Sequence, residues 1–329
     1  MRNDWRGREC LVTGGAGFGG SHLVADLVER GASVTVLDRA PIEGSPLGDL
    51  ALADRVAVVP GDVRDAALVA ALVGDGAFDD VFHLAADPIV AHSIADPATV
   101  VDTNVRGTAA ILEACRTAPA PPRLVFASSG AYYGDNFSAE PIPETQEAGP
   151  ATNLYGPSKA AAEMLVRGYG TTFGLPYAIC RFMNTYGPGD RHLSRLVPRA
   201  LAQLEAGGTY DFGGRDDGST RLDFLYVKDM ARAYTSAADH LATGGTERVF
   251  NFGTGTLTSV RAVAGLLSRA FDGQVREPVF SGPPRDTPRQ KRLDVSRSRA
   301  VLGWTAGTPL EQGLAETVAW HRSAVPAAA

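Results

Sequence analysis

The stretch from Cys10 to Gly20 constrains the fold of this chain more than any other. A short apolar run, Glu9–Thr13, leads at once into glycines at positions 14, 15, 17, 19 and 20, and a helical pattern then runs from Phe18 to Arg30. A turn this tight between a strand and a helix needs backbone freedom that a Cβ denies. Gly14, Gly17 and Gly20 carry the spacing GxxGxxG. Such a turn leaves backbone N–H groups and a helix N-terminus open to an anion, above all a pyrophosphate. Glycine spacing alone is weak; the strand before it and the helix after it give it meaning.

The rest of the first half repeats the same alternation. Apolar, β-branched runs predict strands at Ser33–Asp38, Arg55–Pro60, Asp80–Ala85, Arg123–Ser128 and Tyr177–Phe182. Helical spacing falls at Asp65–Val73, Thr99–Arg116, Leu154–Phe173 and Leu193–Ala206. Strands that read as continuous apolar runs belong to a sheet covered on both faces, hence parallel. The expected fold class is α/β, a doubly wound parallel (Rossmann) sheet with a smaller, mostly helical substrate-binding lobe. Beyond Arg181 the pattern loosens, with helical pieces near Val227–Ala242, Ser259–Phe271 and Leu310–Ser323. The expected division is a dinucleotide-binding domain over residues 1–180 and a second lobe over residues 181–329, some of whose segments return to the first.

Composition narrows the function. The 329 residues carry a net charge of −6, which argues against general nucleic-acid binding. No apolar run approaches the roughly 20 residues of a membrane helix. The segment Met1 to Trp5 lacks the apolar core of a leader, so a cytoplasmic protein is expected. Cys10, Cys115 and Cys180 are too far apart for metal spacing and read as buried hydrophobes in a reducing compartment. The six histidines are dispersed, and no metal is expected.

Asp38 ends the second strand, 18 residues after Gly20. A carboxylate there accepts hydrogen bonds from ribose hydroxyls and repels a 2′-phosphate, which favours NAD; Arg39 beside it is the residue that would receive that phosphate. Asp62 and Val63 follow the third strand, where they can flank an adenine. Leu84, Ala85 and Ala86 end the fourth strand with side chains small enough for a cofactor to lie on the backbone. Tyr155 and Lys159 stand at i and i+4, on one face of a helix. A tyrosine has a pKa near ~10, and a neighbouring ammonium and a positive nicotinamide ring both favour its phenolate. Ser129 ends the fifth strand, where strand ends and the tyrosine helix meet. Tyrosine, lysine, serine and the glycine turn together specify proton transfer beside a dinucleotide.

With these residues the chain resembles the extended short-chain dehydrogenase/reductase family, in particular its nucleotide-sugar epimerases, dehydratases and decarboxylases. The resemblance covers nearly the whole chain. It implies a tightly bound NAD held by Gly14, Gly17, Phe18, Gly19, Gly20, Asp38, Arg39, Asp62, Val63, Leu84, Ala85, Ala86 and Asn104, with Tyr155 and Lys159. Gly19 stands where the family usually has isoleucine. Ser129, Tyr155 and Lys159 match the catalytic serine, tyrosine and lysine. Asn184, Arg195 and Val197 match segments that contact the sugar nucleotide. The family's Arg-Asp-Phe reads here as Arg221-Leu222-Asp223-Phe224, so Arg221 is moved one residue and points to the other face of an extended segment. Arg215, Arg285 and Arg289 are alternative diphosphate ligands. A carboxylate-bearing sugar needs a cation near C6, and Arg191 and His192 lie nearby in sequence. Dehydratases and decarboxylases carry acidic residues after the catalytic hydroxyl, where this chain has Gly130 and Ala131. The resemblance therefore implies C4 epimerisation of a UDP-hexose or UDP-hexuronate by a homodimer. The alternatives are a 4-ketosugar reductase, a dehydratase or decarboxylase using Asp135, Glu140 or Glu144 instead, or a non-catalytic NAD-sensing relative.

Overall fold

The computed structural model describes residues 4–207 and 210–324. Met1, Arg2 and Asn3, part of the segment read for a leader, lie outside the described residues. The strands are β1 (Glu9–Thr13), β2 (Ser33–Asp38), β3 (Ala57–Pro60), β4 (Asp80–His83), β5 (Arg123–Ser129), β6 (Tyr177–Phe182), β7 (Arg221–Leu222), β8 (Val249–Phe252), β9 (Thr258–Ser259) and β10 (Gln290–Lys291). Seven form one sheet in the order β3-β2-β1-β4-β5-β6-β8, and every pairing in it is parallel. The order reverses between β1 and β4, and a crevice opens at that point beyond the strand ends. A small sheet, β10-β7-β9, lies in the second half.

The strands read as apolar on both faces because both faces are covered. Along β4, Phe82 enters one core with Trp5 and Leu23, while Val81 enters the other with Ile111 and Phe126. Helix Val227–Ala242, although late in sequence, packs on helix Phe18–Glu29 and on β5 and β6. No helix among the described residues is long and apolar enough to cross a membrane.

Four differences from expectation bear on the main sheet and the site beside it. β3 starts later because a 3₁₀ turn at Ala53–Arg55 takes its predicted beginning. β4 stops at His83: the Leu84 amide still donates to the Thr13 carbonyl, but the Ala85 amide turns to the Thr13 hydroxyl. The helix expected over Thr99–Arg116 is interrupted by a π turn at Asp102–Arg106. β8, four residues with Asn251 inside, gave no strand signal; it joins the sheet beside β6.

Helix Tyr155–Phe173 is tied to the sheet by a buried ion pair. Arg181 on β6 and Glu163 on the helix are both fully buried. The Arg181 Nε donates to Glu163 Oε2 at 3.0 Å, and the Ser128 hydroxyl donates to the same oxygen at 2.9 Å. The guanidinium also donates to the Tyr133 hydroxyl at 2.6 Å, which in turn donates to Asn251 on β8 at 2.7 Å. Removing one member of such a pair strands a charge, at a cost of about 3–5 kcal/mol. Glu163→Leu is expected to lose that much stability in urea denaturation, and Glu163→Leu with Arg181→Met to lose less than the single variant; a double variant as unstable as the single one would contradict this account.

Candidate active site

A cavity of about 950 Å³ opens at the C-terminal edge of the sheet, at the upper end of the roughly 300–1,000 Å³ usual for small-molecule sites. Its floor is the glycine turn. Gly14 adopts φ +73°, and a Cβ there would stand 2.8 Å from the Ala85 amide nitrogen. A Cβ on Gly20 would stand 2.1 Å from the Gly14 carbonyl oxygen. Gly17 begins helix Phe18–Glu29 without a side-chain cap, so the first-turn amides are left for a ligand. At Gly19 the space an isoleucine would fill is taken by Met230, whose Cε lies 2.6 Å from where a Cβ would be.

The adenosine end follows from β2 and β3. Asp38 accepts from the Ala16 amide at 3.0 Å and the Ala40 amide at 2.9 Å, and so braces the turn while lining the cavity with Arg39. Asp62 and Val63 also line it. Arg64 pairs with Asp62 at 2.7 Å and holds that carboxyl below its ordinary range. Leu84, Ala85 and Ala86 form the wall at the end of β4. Behind them His83 is buried between two hydroxyls, Thr13 at 2.7 Å on Nδ1 and Thr108 at 3.0 Å on Nε2. Thr108 donates to the Asn104 carbonyl and Thr13 accepts from Ala85. This direction of donation makes Nε2 the protonated ring nitrogen. Asn104 does not line the cavity. Its Oδ1 accepts from the Asp87 amide at 2.7 Å and its Nδ2 donates to the Ser158 hydroxyl at 2.9 Å.

At the reacting end Ser129, Tyr155 and Lys159 come together on the cavity wall. The Ser129 hydroxyl accepts from the Ala131 amide at 3.1 Å, which leaves its proton to donate. Burial raises the Tyr155 phenol; the hydrogen bond with Ser129 and the Arg195 charge oppose this, and Asp87 adds to it. Burial pushes Lys159 down to about 7, against the opposing charge of Glu163. Its Nζ sits 4.4 Å from the centre of the Phe126 ring. Desolvation is thus the largest influence on both groups in the ligand-free site.

The substrate end uses fewer of the expected residues. Asn184 lines the cavity at φ +28°, tethered by its Nδ2 to the Asp223 carbonyl at 3.2 Å. Val197 and Arg195 also line it; Arg195 bonds Asp190 at 3.0 Å and lies over the Phe18 ring. Arg221 is exposed and off the wall, while Leu222 and Phe224 face the cavity. Arg285 and Arg289 are not on the wall either; Arg289 pairs with Asp135 at 3.4 Å. The side chain of Arg215 lies outside the described residues. Arg191 and His192 are likewise off the wall, and Arg191 instead donates to the Gly44 carbonyl at 2.6 Å and to Asp49 at 2.7 Å. Sequence reasoning missed Met230 and Asp190, which come from the second half and carry no motif. It also missed the segment Ala40–Pro46, most of which lines the cavity.

The side-chain-free cradle, the uncapped helix N-terminus and Asp38 at the end of β2 fit an NAD molecule and would hold it in the cavity that Tyr155 also lines. Fold and site together define an NAD-binding enzyme of the short-chain dehydrogenase/reductase type. Residues 10–253 match the NAD dependent epimerase/dehydratase family, and the chain belongs to it. It is 30% identical over 331 residues to UDP-glucuronate 4-epimerase 3 of Arabidopsis thaliana, spanning 96% of this chain and 77% of that protein. It is 34% identical to dTDP-glucose 4,6-dehydratase of Xanthomonas campestris pv. campestris, spanning 94% and 92%. The structure of UDP-glucose 4-epimerase with UDP-glucose from Thermotoga maritima superposes with a TM-score of 0.84 at 32% identity, spanning 96% and 99%.

His83 gives a pH signature. Burial pushes it down to about 3, with the Lys159 charge adding to the shift, whereas an unfolded histidine takes up its proton near ~6.5. Between those values the unfolded chain binds more protons, so stability falls as pH falls. His83→Gln is expected to flatten that fall between about pH 6 and pH 4 in urea denaturation of the ligand-free protein; an unchanged slope would assign it to other groups.

Proposed function

We propose that the protein is an NAD-dependent 4-epimerase of a nucleotide sugar, inverting C4 of a UDP-hexose or UDP-hexuronate through a transient 4-keto sugar. One observation carries this reading over dehydration or decarboxylation. After Ser129 the chain places Gly130 and Ala131, and a Cβ on Gly130 would stand 2.1 Å from the Met183 sulfur. No acid follows the catalytic hydroxyl, and none fits at Gly130 while Met183 stays in place. The substitutes are also elsewhere: Asp135, Glu140 and Glu144 are off the cavity wall, and Glu144 is buried, accepting from the Asn251 amide at 3.0 Å. Elimination across C5 and C6 needs an acid and a base there; inversion at C4 does not.

Tyr155 takes the C4 hydroxyl proton, with Ser129 hydrogen-bonded between the two oxygens. Bound NAD supplies a positive ring that favours the phenolate and a reversible acceptor for the C4 hydride. Lys159 would hold the nicotinamide ribose. The keto sugar turns about its diphosphate, the hydride comes back to the opposite face of C4, and Tyr155 returns the proton to the oxygen at the inverted centre. Arg195, Asn184 and Val197 retain the nucleotide meanwhile. Exposed Met164 and Phe173 on helix Tyr155–Phe173 support pairing of two copies through that helix.

Purified protein is expected to convert UDP-glucuronate or UDP-glucose to its C4 epimer without added NAD, read by NMR of each incubation. A 4-keto-6-deoxy product, loss of carbon dioxide or a stoichiometric need for NADPH would each replace epimerisation with another reaction. Tyr155→Phe is expected to lower turnover about 10²–10⁴-fold while NAD stays bound.

A further inference from the structure

Part of the wall at the adenosine end of the cavity is a single chain thick. The segment Ala40–Pro46 leaves β2 directly after Asp38 and Arg39, and Pro41, Glu43 and Gly44 within it line the cavity and are exposed as well. Such a wall has no core behind it and depends on what ties it down. One end is fixed by Asp38, which accepts from the Ala40 amide at 2.9 Å. The other is fixed by Leu47, fully buried in the short helix Pro46–Asp49. Between them the segment bonds to itself: the Ser45 amide and hydroxyl both donate to the Ile42 carbonyl, at 3.0 and 2.6 Å.

A side chain from the second half of the chain grips the middle of this wall. Arg191 donates through Nη1 to the Gly44 carbonyl at 2.6 Å and through Nη2 to Asp49 at 2.7 Å. Its guanidinium lies 5.4 Å from the centre of the Trp320 ring. Charge-assisted bonds from a planar fork are strong and directional. The loop that carries Arg191 is itself anchored to the first half. His22 Nε2 donates to the Pro188 carbonyl at 2.8 Å, and a Cβ on Gly189 would stand 3.2 Å from Pro46 Cβ. The same loop places Asp190 and Arg195 on the cavity wall at the substrate end.

We propose that Arg191 is a strap that fastens the segment Ala40–Pro46 over bound NAD and so sets how slowly the cofactor leaves. It is a positioning residue: it acts through the Gly44 carbonyl and is off the cavity wall. The proposal rests on NAD binding in the crevice and not on which sugar is epimerised.

The test compares wild type with Arg191→Met, which removes the donors and keeps an apolar side chain beside Trp320, with Asp49→Asn, and with the double variant. Protein loaded with labelled NAD is chased with excess unlabelled NAD to give the release rate. Association is measured separately on NAD-free protein, with its melting temperature. Arg191→Met is expected to release NAD roughly five- to tenfold faster, the scale of one charge-assisted hydrogen bond, with association as fast as in wild type or faster. Asp49→Asn shifts release in the same direction by less, and the double variant matches Arg191→Met. Wild-type release in Arg191→Met overturns the proposal, as does a lowered melting temperature with release unchanged. Faster release with slower association marks damage to the site itself and also overturns it, and so does a double variant whose acceleration is the product of the two single ones. Asp49→Asn tests the strap from its other end if Arg191→Met does not fold.

Discussion

The close approach of the Gly14 backbone to that of Ala85 is the constraint on which the crevice depends. It brings the end of β1 against the end of β4 with no space for a Cβ between them. The chain reinforces it with polar links rather than apolar bulk: Thr13 accepts from Ala85 and donates to His83, which donates to Thr108. These groups fix the floor on which the cofactor lies, and they do so below it, leaving the floor itself bare. The tyrosine helix is held from the other side by Glu163 and Arg181. Two buried polar systems thus frame one cavity.

Burial acts against the charged forms of both reacting groups in the ligand-free site: it raises the phenol of Tyr155 and lowers the ammonium of Lys159. The chain positions the pair beside Ser129, and the positive ring of the cofactor would supply the charge that favours the phenolate.

Most of the fold was legible because parallel strands covered on both faces must be apolar throughout, and the crossovers between them have helical periodicity. The glycine turn, Asp38, Ser129, Tyr155 and Lys159 were legible for a related reason: each sits at a strand end or on a helix face that the pattern already located. β8 was not legible, since four residues with Asn251 inside carry no period. The π turn was not, because its extra residue per turn leaves the surrounding spacing almost unchanged. The arginines resisted most. A guanidinium reaches far enough to pair with whatever carboxylate is near, so Arg191 went to Asp49, Arg289 to Asp135 and Arg195 to Asp190. Sequence order fixes where such a side chain starts and says little about where it ends. Met230 filled the gap at Gly19 from a helix more than two hundred residues away, which no local reading anticipates.

The packing of Gly130 against Met183 also has an evolutionary side. An acidic residue gained at position 130 would meet the methionine before it met any sugar, unless that side chain turned aside or gave way to a smaller one. An acid at this place is therefore a change of two side chains, and the neighbour just past the end of β6 has a say in what the strand end after Ser129 can carry.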